Sequence, residues 1–142
     1  MTDCTHIPVG SILLQAPPFR FVDTLVSFER EEVETAYTVP SEGPLVESGH
    51  LTEAGLVENM AQSSAARIGY ISVYIDHVPV RIGYLGQVKN LIINRLPSSG
   101  ESLSTFVRVR QDIFGITLVD AEVRSGEETV ATAAIKTALR DE

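Results

Sequence analysis

Residues Thr52 to Tyr74 read TEAGLVENMAQSSAARIGYISVY, the longest run in the chain that can form one helix, and the segments on either side of it have the character of strands. Wound at about 100° per residue, the run sorts into two unlike faces. Leu56, Val57, Met60, Ile68, Ile71 and Ile75, just past the run, carry nearly all the large apolar volume on one side. Ala54, Gly55, Glu58, Ala61, Gln62, Ala65, Gly69 and Ser72 make up the other. Small residues of this kind let another backbone or a ligand approach closely, and only Glu58 and Gln62 stand up from them. The expectation is a buried helix bearing a shallow groove.

Thr52 is the expected N-cap, because its hydroxyl can accept from a backbone N–H one turn ahead, and Glu53 places negative charge where the helix dipole favours it. Pro79 rules out continuation past Val78. At about 1.5 Å per residue the helix would be on the order of 33 Å long, enough to cross a small domain.

The flanks supply its cover. Pro8 to Gln15 has helix-like spacing at Val9, Ile12 and Leu13, predicting a short N-terminal helix before the extended Ala16-Pro17-Pro18-Phe19. Phe21–Glu29 and Glu32–Val39 form a hairpin through Arg30-Glu31, and the second arm alternates Val33, Thr35, Tyr37 and Val39 against Glu32, Glu34, Ala36 and Thr38. Ser41 to Leu51, with Gly43, Pro44 and Gly49, is expected as a loop leading into the helix. Val80–Leu96, Ser102–Gln111, Ile116–Arg124 and Thr129–Leu139 are further strands, and Gly83 and Gly86 mark bulges or close backbone approach in the first of them. Strands joined by tight turns are antiparallel, which excludes a doubly wound sheet. The resulting fold class is α+β: residues 1–142 as a single domain, one long central helix wrapped by a curved antiparallel sheet.

Composition agrees with that reading and narrows the function. The chain has 142 residues, 44% of them hydrophobic, enough for one substantial core. A formal charge of −8 argues against a nucleic-acid binder, whose affinity comes from Lys and Arg on phosphates. Charge is uneven, however: Arg67, Arg81, Lys89, Arg95, Arg108 and Arg110 face only Asp76 and Glu101 over that interval, a stretch on which an acidic partner could dock. Cys4 is the only cysteine, so no intrachain disulfide and no cysteine-based zinc site is expected. The N-terminus lacks the basic and apolar character of a secretion signal, and no segment approaches the about 18 apolar residues of a membrane span. A cytoplasmic protein without a membrane partner is the expectation.

Three strings, in this order along the chain, carry a family resemblance: ILLQAPPFRFVD from Ile12 to Asp23, Glu58-Asn59-Met60-Ala61-Gln62 on the helix, and Val88-Lys89-Asn90 on the following strand. With the predicted architecture they resemble the hot-dog fold, and specifically the β-hydroxyacyl-[acyl-carrier-protein] dehydratases, over essentially the whole chain. The resemblance implies a dimer with sheets joined edge to edge, an active site at the interface and a tunnel for a pantetheine-linked acyl chain. It implies no cofactor of the protein's own, the substrate being carried on phosphopantetheine by an acyl carrier protein or coenzyme A. The family's catalytic pair is a carboxylate on the helix, matched by Glu58, and a histidine in the loop before it, within a G-H-F-P-G string. Counting back from Glu58 without a gap places Gly43-Pro44 at that histidine, and Pro44 can neither accept nor donate a proton.

Elimination of water from a 3-hydroxyacyl thioester requires a base for the C2 proton, an acid for the leaving hydroxyl and donors at the thioester carbonyl. Glu58 is the candidate acid, and His50, the histidine near the helix start, is the candidate second group, acting within the chain or across a two-fold interface. Gly55, Ala54, Ala61 and Ala65 are the candidate substrate-lining residues, and Gln62 is expected to hold Glu58 or a backbone group. The ordinary readings stand beside these: His50 as an exposed loop residue, Glu58 as a helix-surface carboxylate, and His6 and His77 on the surface. Arg67, awkward on the large-residue face, pairs with a strand carboxylate such as Asp120, and Asp23 makes a structural bond to backbone.

Three functions follow. One is a divergent 3-hydroxyacyl-thioester dehydratase of fatty-acid or polyene-type synthesis, as a homodimer. Another is a non-catalytic acyl-carrier-binding subunit paired with an active homologous hot-dog chain, a departure similar to the dehydratase-like subunits of aryl-polyene pathways. The third is a hot-dog acyl-thioesterase in which Glu58 activates water.

Overall fold

The computed structural model describes residues 6–81 and 83–139; Cys4 lies outside them. Seven strands build one antiparallel sheet: β1 (Ile7–Pro8), β2 (Thr24–Glu29), β3 (Glu32–Thr38), β6 (Gly83–Ile93), β7 (Ser102–Ile113), β8 (Ile116–Ser125) and β9 (Glu128–Leu139). Their spatial order is β1-β2-β3-β7-β8-β9-β6, so β6, the strand directly after the helix, ends up at an edge. Between β3 and the helix, β4 (Val46–Glu47) and β5 (His50–Leu51) form a separate small hairpin. That hairpin stands where a plain loop was expected over Ser41 to Leu51. Its turn is made by Ser48 and Gly49, both with positive φ.

Helix α1 (Glu53–Tyr70) lies against one face of the sheet and touches β2, β3, β6, β7, β8 and β9. The inward strand positions follow the period of two: Val33, Thr35 and Tyr37 on β3, Leu103, Thr105 and Val107 on β7, Val119, Ala121 and Val123 on β8, and Ala131, Ala133 and Ile135 on β9 are all buried. With Leu56 and Met60 of α1 they form the core. Gly86 falls at a break in the β6–β9 register, between Leu85 and Gln87, as its position in the sequence suggested.

The helix differs from expectation in three ways. Its N-cap is Thr52, whose Oγ1 accepts from the Gly55 N–H at 3.2 Å, but the regular α-helix stops at Tyr70 and its last turn widens into a π-helix over Ile71–Ile75. There the Ser72 hydroxyl donates to the Ile68 carbonyl at 2.9 Å, taking an acceptor the regular ladder uses, and the Asp76 N–H reaches back five residues to Ile71. Second, the buried face is partly polar. Asn59, Ser63 and Arg67, spaced four apart, reach Thr105 (2.5 Å), Thr35 (2.7 Å) and the Arg30 carbonyl (2.6 Å), while Ile75 is exposed. Arg67 pairs with Asp112 at 3.4 Å; Asp120 is bonded instead to Arg110. Third, the small-residue face is largely filled by protein. A Cβ on Gly69 would stand 1.9 Å from the Ile12 carbonyl oxygen, and one on Gly55 would stand 2.4 Å from Leu51 Cδ1.

The segment that packs on Gly69 is not the short N-terminal helix expected over Pro8 to Gln15 but a single 3-10 turn, Val9–Ser11. Gly10 and Ser11 give a helix little local support, and burial of Val9, Ile12 and Leu13 holds the turn instead. The positive stretch from Arg67 to Arg110 is also largely matched: Arg67, Arg81, Arg95, Arg108 and Arg110 each pair with a carboxylate, and among the described residues only Lys89 of the six has no ion pair.

Candidate functional site

Glu58, Ala61, Gln62 and Ala65 stand three and four residues apart, so they lie one above another along α1. They line a small cavity of about 90 Å³, bounded also by Ile68, by Gln15 from the lead-in, by Gly83 and Leu85 of β6, and by Thr137 of β9. One carboxylate in a niche floored by alanines is the arrangement the sequence suggested. Its outer wall was not anticipated: the niche opens beside β6, whose far side has no strand neighbour among the described residues. Tyr84, Leu85 and Ile92 leave roughly half their surfaces exposed along that strand, at 52%, 45% and 57%.

Gln62 fixes the niche. Its Oε1 accepts from the Phe21 N–H at 2.7 Å, and its Nε2 donates to the Phe19 carbonyl at 3.0 Å and to Glu58 Oε1 at 3.4 Å. Asn59, one residue after Glu58, donates to the Phe21 carbonyl at 2.7 Å. The lead-in Phe19–Phe21 is thus stitched to the helix turn that carries Glu58, and Gln62 does both things expected of it. Arg20 Nε donates to the Gln15 carbonyl at 3.0 Å, steadying the residue at the niche's mouth. Asp23 makes the predicted backbone bond, accepting from the Thr38 N–H at 2.9 Å.

Of the other candidates, Ala54 is exposed and away from this niche, and Gly55 is covered by Leu51 and the Leu45 carbonyl, with its N–H turned to Thr52. His50 is exposed on β5 and is not among the niche-lining residues of its own chain. It forms a bridge with Ser98, in the connection after β6, and its Nδ1 lies 2.9 Å from the Ser48 carbonyl. A carbonyl only accepts, so Nδ1 is the donor in that contact and Nε2 is the ring nitrogen turned away from it. His6 and His77 are exposed, as expected.

Gly43 and Pro44, at the register of the family's histidine, line a different cavity of about 220 Å³ with Arg20, Asp23 and Tyr37. Burial, reinforced by the Asp23 charge, pushes the Tyr37 hydroxyl up to about 12, so it keeps its proton near neutral pH. A larger concavity of about 710 Å³ lies on the sheet face away from α1, but the carboxylates lining it are each held by an arginine: Glu32 by Arg108, Asp120 by Arg110 and Glu122 by Arg124. Glu58 in the small niche, by contrast with the carboxylates of that concavity, has no ion pair among the described residues.

Sequence reasoning missed Gln15, Gly83, Leu85 and Thr137, and it put Ile68, which also lines the niche, on the opposite face of the helix. Thr137 was within reach of it, being a polar residue that continues the every-second-residue inward series Ala133 and Ile135.

A sheet wrapped on one helix, with a carboxylate niche beside its open edge, is the hot-dog fold. The chain belongs to the ApeP-like family of ApeP dehydratases, whose family model matches residues 7–142. An uncharacterised thioester dehydrase of Halalkalibacterium halodurans is 26% identical over 111 residues, 74% of this chain and 69% of that protein. In the dehydratase heterocomplex ApeI:P of Xenorhabdus doucetiae, a chain 17% identical superposes with a TM-score of 0.86, covering 96% of this chain and 93% of that one. A Streptococcus mutans protein bound to acetyl-CoA is 18% identical with a TM-score of 0.69, covering 92% of this chain and 97% of that one.

Proposed function

We propose that this chain is a 3-hydroxyacyl-thioester dehydratase, carried as a pair of hot-dog chains joined through β6, with Glu58 as the acid that protonates the departing hydroxyl. The observation that carries the proposal is the placement of Glu58 in a niche whose outer wall is an unpartnered strand edge. Pairing that edge with a second hot-dog chain covers the half-exposed Tyr84, Leu85 and Ile92 and closes the niche around the Glu58 carboxyl.

The same pairing supplies a base. Antiparallel pairing about a two-fold runs β6 past its own copy in reverse, so the Gly83 end, which borders Glu58, lies beside the partner's Ile93 end. That end leads to Ser98 and, through its bridge, to His50 of the partner subunit. Its Nε2 takes the C2 proton, the C2–C3 double bond forms, the C3–O bond breaks, and the oxygen leaves as water with the proton from Glu58. The substrate is a thioester on a phosphopantetheine arm of an acyl carrier protein or coenzyme A. The second chain is another copy or a homologous hot-dog subunit; the heterocomplex character of the Xenorhabdus relative favours keeping the latter in view.

Incubation with a 3-hydroxyacyl-pantetheine thioester, following enoyl absorbance and free thiol in parallel, tests the reading. Enoyl product without thiol, lost in Glu58→Gln, is expected. Thiol release dependent on Glu58 would instead make the protein a thioesterase. No product from the folded, paired chain would leave it a carrier-binding subunit.

A further inference from the structure

Thr137 stands out among the residues around Glu58. It is 7% exposed, it lines the niche from β9, and its Oγ1 is buried with no hydrogen-bond partner among the described residues. Buried hydroxyls without a partner are uncommon, because the lost hydration is not replaced. Its cross-strand neighbour Thr117 faces the same side and has a partner, donating to Asp112 Oδ1 at 3.3 Å. The other buried hydroxyls facing α1 are matched as well: Thr35 to Ser63 and Thr105 to Asn59. A valine would fill the same volume at Thr137 without the unmatched oxygen, so the hydroxyl has a cost that packing does not explain.

Resting on the dehydratase reading of the niche, we infer that Thr137 is a specificity-determining residue that holds the 3-hydroxyl of the acyl chain opposite Glu58. A threonine hydroxyl both donates and accepts, and so suits an alcohol in its ground state: Oγ1 accepts the substrate's O–H, while the substrate oxygen turns a lone pair to the Glu58 proton. Leu85, paired with Thr137 across β6 and β9, supplies an apolar wall beside it, fitting an acyl chain that is apolar except at that one oxygen. The residue thus selects 3-hydroxyacyl chains over saturated ones. A site built to bond a hydroxyl discriminates strongly against the analogue that lacks it, since the buried partner is then left unmatched.

The test compares binding of two amide analogues of the thioester, 3-hydroxybutyryl-pantetheine amide and butyryl-pantetheine amide, to the wild-type protein, Thr137→Val and Thr137→Ser, together with the melting temperature of each. The wild type should prefer the hydroxy analogue. Thr137→Val should weaken that analogue about 5- to 10-fold, the loss of about one hydrogen bond, with butyryl binding unchanged and a melting temperature equal or higher. Thr137→Ser should keep the preference. Equal effects of Thr137→Val on both analogues, or a lowered melting temperature with the preference intact, would overturn the inference while leaving the dehydratase reading standing. Binding of neither analogue by the wild type would overturn both.

Discussion

At the scale of single residues, the helix is sculpted where another backbone presses on it. Gly69 meets the Ile12 carbonyl at a distance no Cβ tolerates, and the atom in the way is backbone. Gly69→Ala must therefore push the 3-10 turn outward, and it should cost about 1–3 kcal/mol, as overpacking does. Thermal unfolding would show it, and an unchanged midpoint would mean the lead-in does not pack there. Displacing that turn also moves Gln15 at the mouth of the niche, so activity should fall with stability. The sequence announced Gly69 as a place of close approach, but not which backbone would arrive. Glu58 and Gln62 were likewise visible as the polar groups on an alanine floor, whereas Leu85 and Gly83 were not, because only the folded sheet brings β6 beside them.

At the scale of elements, alternation made the strands legible: the inward set on β3 is the one its sequence predicts. The helix was read less well because its faces were sorted by side-chain volume. Asn59, Ser63 and Arg67 are buried where strand hydroxyls and a carbonyl complete their hydrogen bonds, a pairing invisible within the helix itself. Outside the helix, Arg95 binds both oxygens of Glu101, at 3.0 and 2.6 Å, and also Glu128, tying the connection between β6 and β7 to the start of β9. The hydrogen bonds from Arg95 hold the Glu101 carboxyl down at about 2, against burial that acts the other way. A carboxyl that binds its proton less readily when folded stabilises the protein above its ordinary value of 4.5, and that contribution is lost as the pH falls toward 2. Glu101→Gln should therefore lower the melting temperature at neutral pH and flatten its decline over that acid window. A decline as steep as the wild type's would show that other carboxylates carry the acid sensitivity.

At the scale of the whole molecule, the net charge of −8 argues against a nucleic-acid partner, but the local run of basic residues misled because charge along a chain says nothing of what folds opposite it. Arg108 and Glu32 are distant in sequence and adjacent in the sheet. Edge pairing has the same character: the order of strands predicted an antiparallel sheet, but not that β6 would be its bare edge. Tyr84→Lys with Ile92→Lys, both on β6 and neither lining the niche, places charge on that edge and should convert a paired protein to single chains in sedimentation, with loss of dehydration. A pair that survives both substitutions would place the interface elsewhere.

Dehydration as proposed requires Glu58 to be sheltered when the edges are paired. Carbodiimide labelling of carboxylates with mass-spectrometric readout reports this on the native side chain. Glu58 should be protected in the assembled protein and labelled once the Tyr84 and Ile92 substitutions separate the chains, while the exposed Glu42 is labelled in both. Labelling of Glu58 at the same rate in the two states would contradict the proposed site.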